Sequence, residues 1–129
     1  MRTNYLAAVV LGLLCVAALA DSPAPMSEKQ KIDALIATVK NLKDATFIRN
    51  GKEYDGDAAA KHMRDKLDYA GDKIKTATDF IDQIASKSSV SGKPYLIKFK
   101  DGTEQTAGDF LKARLDEIEH PKPTSQPTQ

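Results

Sequence analysis

The chain is 129 residues long, with 19 Lys and Arg against 18 Asp and Glu, a net charge of +1, one cysteine and no tryptophan. That length is one domain's worth of sequence, and the near-cancelling charges leave no strong electrostatic case for nucleic acid or anionic lipid as partner. Hydrophobic residues at 41% and charged residues at 29% exclude both a disordered polyelectrolyte and a membrane-filling chain.

Arg2 precedes an uncharged run, Leu6 to Ala20, that closes on Ala18-Leu19-Ala20 before Asp21. A basic start, a short apolar middle and an A-x-A end are the pattern of a cleavable secretory signal, cut between Ala20 and Asp21. The run is shorter than the roughly 20 residues of a membrane-spanning helix, so no stable membrane insertion is expected after cleavage. Cys15 follows Leu14 where a lipoprotein signal needs a small residue, which rejects that alternative. The only cysteine leaves with the signal, and the mature chain must hold together by its core, without disulfides.

Residues 21–26 read as a mobile leader, residues 120–129 as a Pro-rich disordered tail, and residues 27–119 as one globular domain. Ser27 with Gln30 is a capping box, and Ile32, Leu35, Ile36, Val39 and Leu42 follow at helical spacing. Phe47-Ile48-Arg49, Asn50-Gly51 and Lys52-Glu53-Tyr54 predict a hairpin, because a two-residue turn needs positive φ at both positions. Asp55 or Asp57 caps a second helix with Ala59, Met63, Leu67, Ala70 and Ile74 on one face. Thr76 with Asp79 starts a shorter third helix through Phe80, Ile81 and Ile84.

Ser86 to Pro94 is a loop by composition. Tyr95 to Lys100, Asp101-Gly102 and Thr103 to Gln105 predict a second hairpin. Thr106 caps a last helix with Phe110, Leu111, Leu115 and Ile118 inward. The predicted fold is α+β: a helix-dominated domain of four amphipathic helices and two short β-hairpins.

Metal chemistry finds little support, since the two histidines, His62 and His120, are far apart, and Asp55-Gly56-Asp57 lacks the remaining ligands of a calcium loop. Gly92-Lys93 is not a P-loop, with Lys87 in place of the first glycine and Pro94 in place of the hydroxyl residue. Neither G-x-S-x-G nor S-x-x-K occurs, and no cofactor is indicated. A carboxylate pair, as glycosidases use, is open to a chain this acidic.

Two features stand out. His62, Lys66 and Tyr69 align along one flank of the second helix, and Arg114 falls inside the apolar stripe of the last helix. An arginine there snorkels, pairs with a carboxylate or faces a pocket. The bland alternative is a buried ion pair or a snorkelled stem; the functional one is an anion-binding pocket of Arg114, Lys66 and His62, with Arg49 as a fourth member. The second feature is the loop carrying Ser88, Ser89, Ser91, Gly92, Lys93 and Tyr95. It is either an ordinary connection or a recognition loop.

These stretches also carry a resemblance. Phe47 to Gly51, then Tyr54, Ala59, His62, Lys66 and Tyr69 at fixed spacing, Phe80-Ile81, Ala85-Ser86, Ser88-Ser89, Ser91 to Tyr95, Leu111 and Arg114-Leu115 resemble the YfeK-like family. These are small exported proteins of Gram-negative bacteria with a domain of unknown function. The resemblance covers most of Ser27 to Glu119; Phe110 stands where the family is expected to carry a tryptophan. It implies periplasmic residence and supplies no catalytic residues.

Ser91-Gly92-Lys93-Pro94-Tyr95 also resembles the S-G-x-x-Y pattern of periplasmic lysozyme inhibitors, whose serine loop enters the lysozyme cleft. The expected function is a non-catalytic periplasmic binding or accessory protein whose partner is an envelope component or a periplasmic protein. A lysozyme-inhibitor-like protein and a small envelope-acting hydrolase are the alternatives.

Overall fold

A computed structural model describes residues 24–123. The expected signal segment, its cleavage point at Ala20–Asp21 and the end of the Pro-rich tail lie outside the described residues.

Helix α1 spans Glu28–Lys40 and starts on a complete capping box. The Gln30 N–H donates to Ser27 Oγ at 3.2 Å, and the Ser27 N–H to Gln30 Oε1 at 2.8 Å. Strands β1 (Ala45–Arg49) and β2 (Lys52–Tyr54) form the first hairpin. Asn50 and Gly51, at φ +51° and +78°, supply the two positive angles that match its turn to the strand twist.

Helix α2, Gly56–Ala70, is capped by Asp55, whose side chain accepts from the Ala58 N–H. It stops at Gly71, at φ +55°, followed by a 3-10 turn over Gly71–Lys73. Ile74 therefore lies beyond α2 rather than on its apolar face, although it still packs against the core. Helix α3, Ala77–Phe80, continues directly as a π-helical segment, Ile81–Ala85. Strands β3 (Leu96–Phe99) and β4 (Glu104–Thr106) lead into α4, Ala107–Glu119, capped by Thr106.

The fold is α+β, and the two expected hairpins are joined into one antiparallel sheet of order β2-β1-β3-β4. β1 pairs with β3 so that Phe47 stands opposite Ile97 and Ala45 opposite Phe99. Because side chains alternate along a strand, Phe47 and Ile97 turn together into the helices while Thr46 and Lys98 lie on the opposite face. α1 sits centrally in the helical layer, touching α2, α3 and α4.

Leu35, Phe80, Ile81, Ile97 and Leu111 are completely buried, each contributing about 1.5–3 kcal/mol by removal from water. Where α2 begins, a Cβ on Gly56 would come within 2.5 Å of the Val39 carbonyl oxygen. Only glycine lets the start of α2 lie against the end of α1.

Candidate functional site

The sheet's helix-facing side and α2 enclose a cavity of about 200 Å³. β1 contributes Phe47 and Arg49, two residues apart and hence on one face. Tyr54 arrives from β2 as the cross-strand partner of Phe47. α2 contributes Ala59, His62 and Met63, and the approach to β3 contributes Tyr95, while exposed Ala58, Lys61 and Asp65 form the rim. On the other side of His62 lies a shallower depression of about 420 Å³, bounded by Lys66, Tyr69, Ile74, Ile84 and Ser89 among others.

A chain of polar contacts crosses the cavity wall. Arg49 Nη1 is 3.4 Å from His62 Nδ1, and His62 Nε2 is 3.5 Å from the Tyr95 hydroxyl oxygen. Lys66 Nζ donates to that same oxygen at 3.3 Å. A guanidinium only donates, so His62 Nδ1 is assigned as the acceptor and Nε2 as the protonated nitrogen. Tyr95 then accepts from both His62 and Lys66, and its own O–H remains available to an incoming acceptor.

The two ends of this chain differ. Lys66 Nζ also donates to the carbonyl oxygens of Ile84 at 2.8 Å and Lys87 at 3.3 Å, so all three of its N–H bonds are engaged. It satisfies carbonyls that the end of a helical segment leaves without a partner, and it sits 5.3 Å from the Tyr95 ring centroid. Arg49 has no carboxylate partner among the described residues, and its buried Nε has no acceptor among them.

Electrostatics follow from this crowding. Burial lowers the pKa of His62, and the positive charges of Arg49 and Lys66 lower it further, so the imidazole is neutral at neutral pH. Burial also lowers Lys66, again with help from Arg49, and raises the Tyr95 phenol. Asp65, the carboxylate that opposes these effects at His62, is already paired with Lys61 at 2.6 Å. The wall is rich in donors and positive charge and poor in acceptors.

Arg49, His62, Lys66 and Tyr95 come together, but Arg114 does not join them. Its guanidinium lies 5.1 Å from the Phe110 ring centroid and pairs with Glu117 at 2.8 Å. It snorkels along the edge of the stripe and meets a carboxylate on its own helix. Phe110 in turn packs against Phe99, with ring centroids 6.1 Å apart. Tyr69, on the expected flank of α2, is 96% exposed.

The serine loop is a closed local structure. Ser88 is 1% exposed, and its Oγ receives the N–H groups of Val90 and Ser91 and the Asn50 amide, each at 3.3 Å. Its backbone N–H donates to the Lys93 carbonyl at 3.0 Å, while the Gly92 N–H donates to its carbonyl at 2.9 Å. The Ser91 hydroxyl donates to the Asn50 side-chain amide oxygen Oδ1. Ser89, Ser91, Gly92 and Lys93 are exposed, whereas Tyr95 is buried in the cavity wall.

Phe47, Tyr54, Ala59 and Met63 complete the cavity and were not among the expected site residues. Their apolar periodicity marks core, and only the missing volume between them makes a pocket. Among the described residues no cluster of His, Cys, Asp and Glu is assembled that could hold a metal ion, and no helix is long and apolar enough to cross a membrane.

The chain is 42% identical over 88 residues to the uncharacterized protein YfeK of Salmonella typhimurium, covering 68% of this chain and 72% of that protein. No solved structure matches it. The stretch that supplies every wall of the cavity, residues 26–119, also matches a family model in full sequence order. By that match the chain belongs to a family of unknown function, DUF5329.

Proposed function

We propose that this chain is an exported, non-catalytic binding protein of the Gram-negative periplasm, holding an anionic group of an envelope component between Arg49, His62 and Tyr95. One observation carries the anion: the Arg49 guanidinium lines the cavity and has no carboxylate partner among the described residues. A guanidinium with no counter-ion favours a ligand that carries negative charge and only accepts hydrogen bonds. Charge-assisted bonds from arginine to a carboxylate or phosphate are the strongest of this kind. Export is supported by the basic, apolar and A-x-A order of residues 1–20.

The lysozyme-inhibitor and hydrolase alternatives gain no such observation. Of the two pattern side chains Ser91 and Tyr95 only Ser91 is exposed, since Tyr95 is turned inward, and Asp65, the carboxylate on the cavity rim, is paired with Lys61.

The test begins with expression of the full sequence in a Gram-negative host. The expected product is a periplasmic protein starting at Asp21. Titrated with sodium acetate and then sodium phosphate, it should show amide NMR shifts at Arg49, His62 and Tyr95 that sodium chloride does not reproduce. A cytosolic product retaining Met1, or shifts spread evenly over the surface, would sink the reading.

A further inference from the structure

We infer that the ligand is a carboxylate carrying a compact apolar body, its charged head on Arg49 and the Tyr95 hydroxyl and its body in the cavity between Phe47, Tyr54, Ala59 and Met63. This rests on the proposed anion site and specifies what that site selects. The cavity is strongly two-sided. The Arg49 guanidinium and the Tyr95 hydroxyl stand on one wall, while much of the remainder is aromatic and aliphatic.

An apolar cavity of about 150 Å³ takes up benzene and stays dry without it. At about 200 Å³ this one accommodates an aryl or short branched alkyl group with space for the link to a carboxylate. A long acyl chain would exceed that volume, and a sugar would leave its hydroxyls facing Phe47 and Met63. The planar fork of arginine matches the two oxygens of a carboxylate. The carboxylate has two sources of the same chemistry, a small free acid or the end of a peptide whose last side chain is apolar.

Isothermal titration of the purified protein compares four probes: acetate, 3-phenylpropionate, 3-phenylpropanamide and N-acetylphenylalanine. The expected result is 3-phenylpropionate binding about 100-fold more tightly than acetate, through burial of the ring, with the amide far weaker. Binding of N-acetylphenylalanine at similar strength assigns a chain end, and its absence assigns a small free acid.

Acetate and 3-phenylpropionate binding equally would overturn the inference and leave the anion site standing. Equal binding of the amide, or no binding by any probe, would remove both. Ala59→Leu fills the cavity, so it should reduce 3-phenylpropionate to the strength of acetate while acetate is unchanged. Arg49→Met should abolish both, in a protein whose amide spectrum stays dispersed.

Discussion

Lys66 and Arg49 stand at opposite ends of one polar chain, on adjoining walls, yet they are different kinds of cation. Lys66 is spoken for: two main-chain carbonyls and a phenol oxygen take its three N–H bonds and tie α2 to the end of the π-helical segment. Arg49 touches only an imidazole nitrogen and leaves a buried N–H without an acceptor. A residue type and its degree of burial therefore do not identify a binding residue. The acceptor count around it does.

The sharpest way to break that distinction is paired replacement. Lys66→Met should lower stability in urea unfolding by about 1.5–3 kcal/mol, because it removes charged-group hydrogen bonds to the part-buried Ile84 carbonyl and Tyr95 hydroxyl. Arg49→Met should leave stability within about 0.5 kcal/mol, and equal losses would erase the contrast.

Ser88→Ala tests the neighbouring closed network. Stranding the Val90 and Ser91 amides and the Asn50 side chain should remove about 1–2 kcal/mol. Faster amide hydrogen exchange at Ser91 and Gly92 would localise that loss.

Glu28 is the acceptor counterpart of Lys66. Its carboxylate takes the Ala77 N–H at 2.8 Å and pairs with Lys31 at 3.2 Å. Glu28→Ala should remove about 1 kcal/mol, as loss of a helix cap does. The Ala77 N–H bond and then Lys31 hold its pKa below the ordinary 4.5. Its stabilisation is therefore present above pH 4.5 and lost as pH falls through the lowered value.

The smallest effect belongs to His62. Its folded pKa lies below the ordinary 6.5, so the unfolded chain takes up the proton first as pH falls. Stability should therefore decline from about pH 6.5 downward, and His62→Gln should flatten the melting temperature just below about pH 6.5. Bound carboxylate should reverse this preference by raising the His62 pKa, so that binding takes up protons in that window. Absence of proton uptake in buffers of different ionisation heat would separate His62 from the anion.

Local chemistry was legible in the sequence where a signal is contained within four residues. The capping boxes at Ser27 and Thr76, the Thr106 cap and the Asn50-Gly51 turn all form as their residue types dictate. The joining of the hairpins was not, because Phe47 meets Ile97 across two intervening helices and nothing in either strand names its partner. The convergence of Arg49, His62 and Lys66 was visible as an expectation, but the acceptors of Lys66 were not. Those acceptors are backbone carbonyls of residues 84 and 87, which carry no residue-type signal. Arg114 shows the limit of periodicity: 100° per residue places it on the stripe, but not whether it faces inward or lies along the edge.

The shortage of acceptors around Arg49 also acts by exclusion. A free amino acid presents an ammonium one carbon from its carboxylate, and here that ammonium would sit among Arg49, Lys66 and the donors of His62 and Tyr95. Repulsion of that kind discriminates as strongly as attraction. The same molecule with its nitrogen acylated brings a neutral amide instead. On the proposed reading, free phenylalanine should therefore bind more weakly than its N-acetylated or amine-free counterpart.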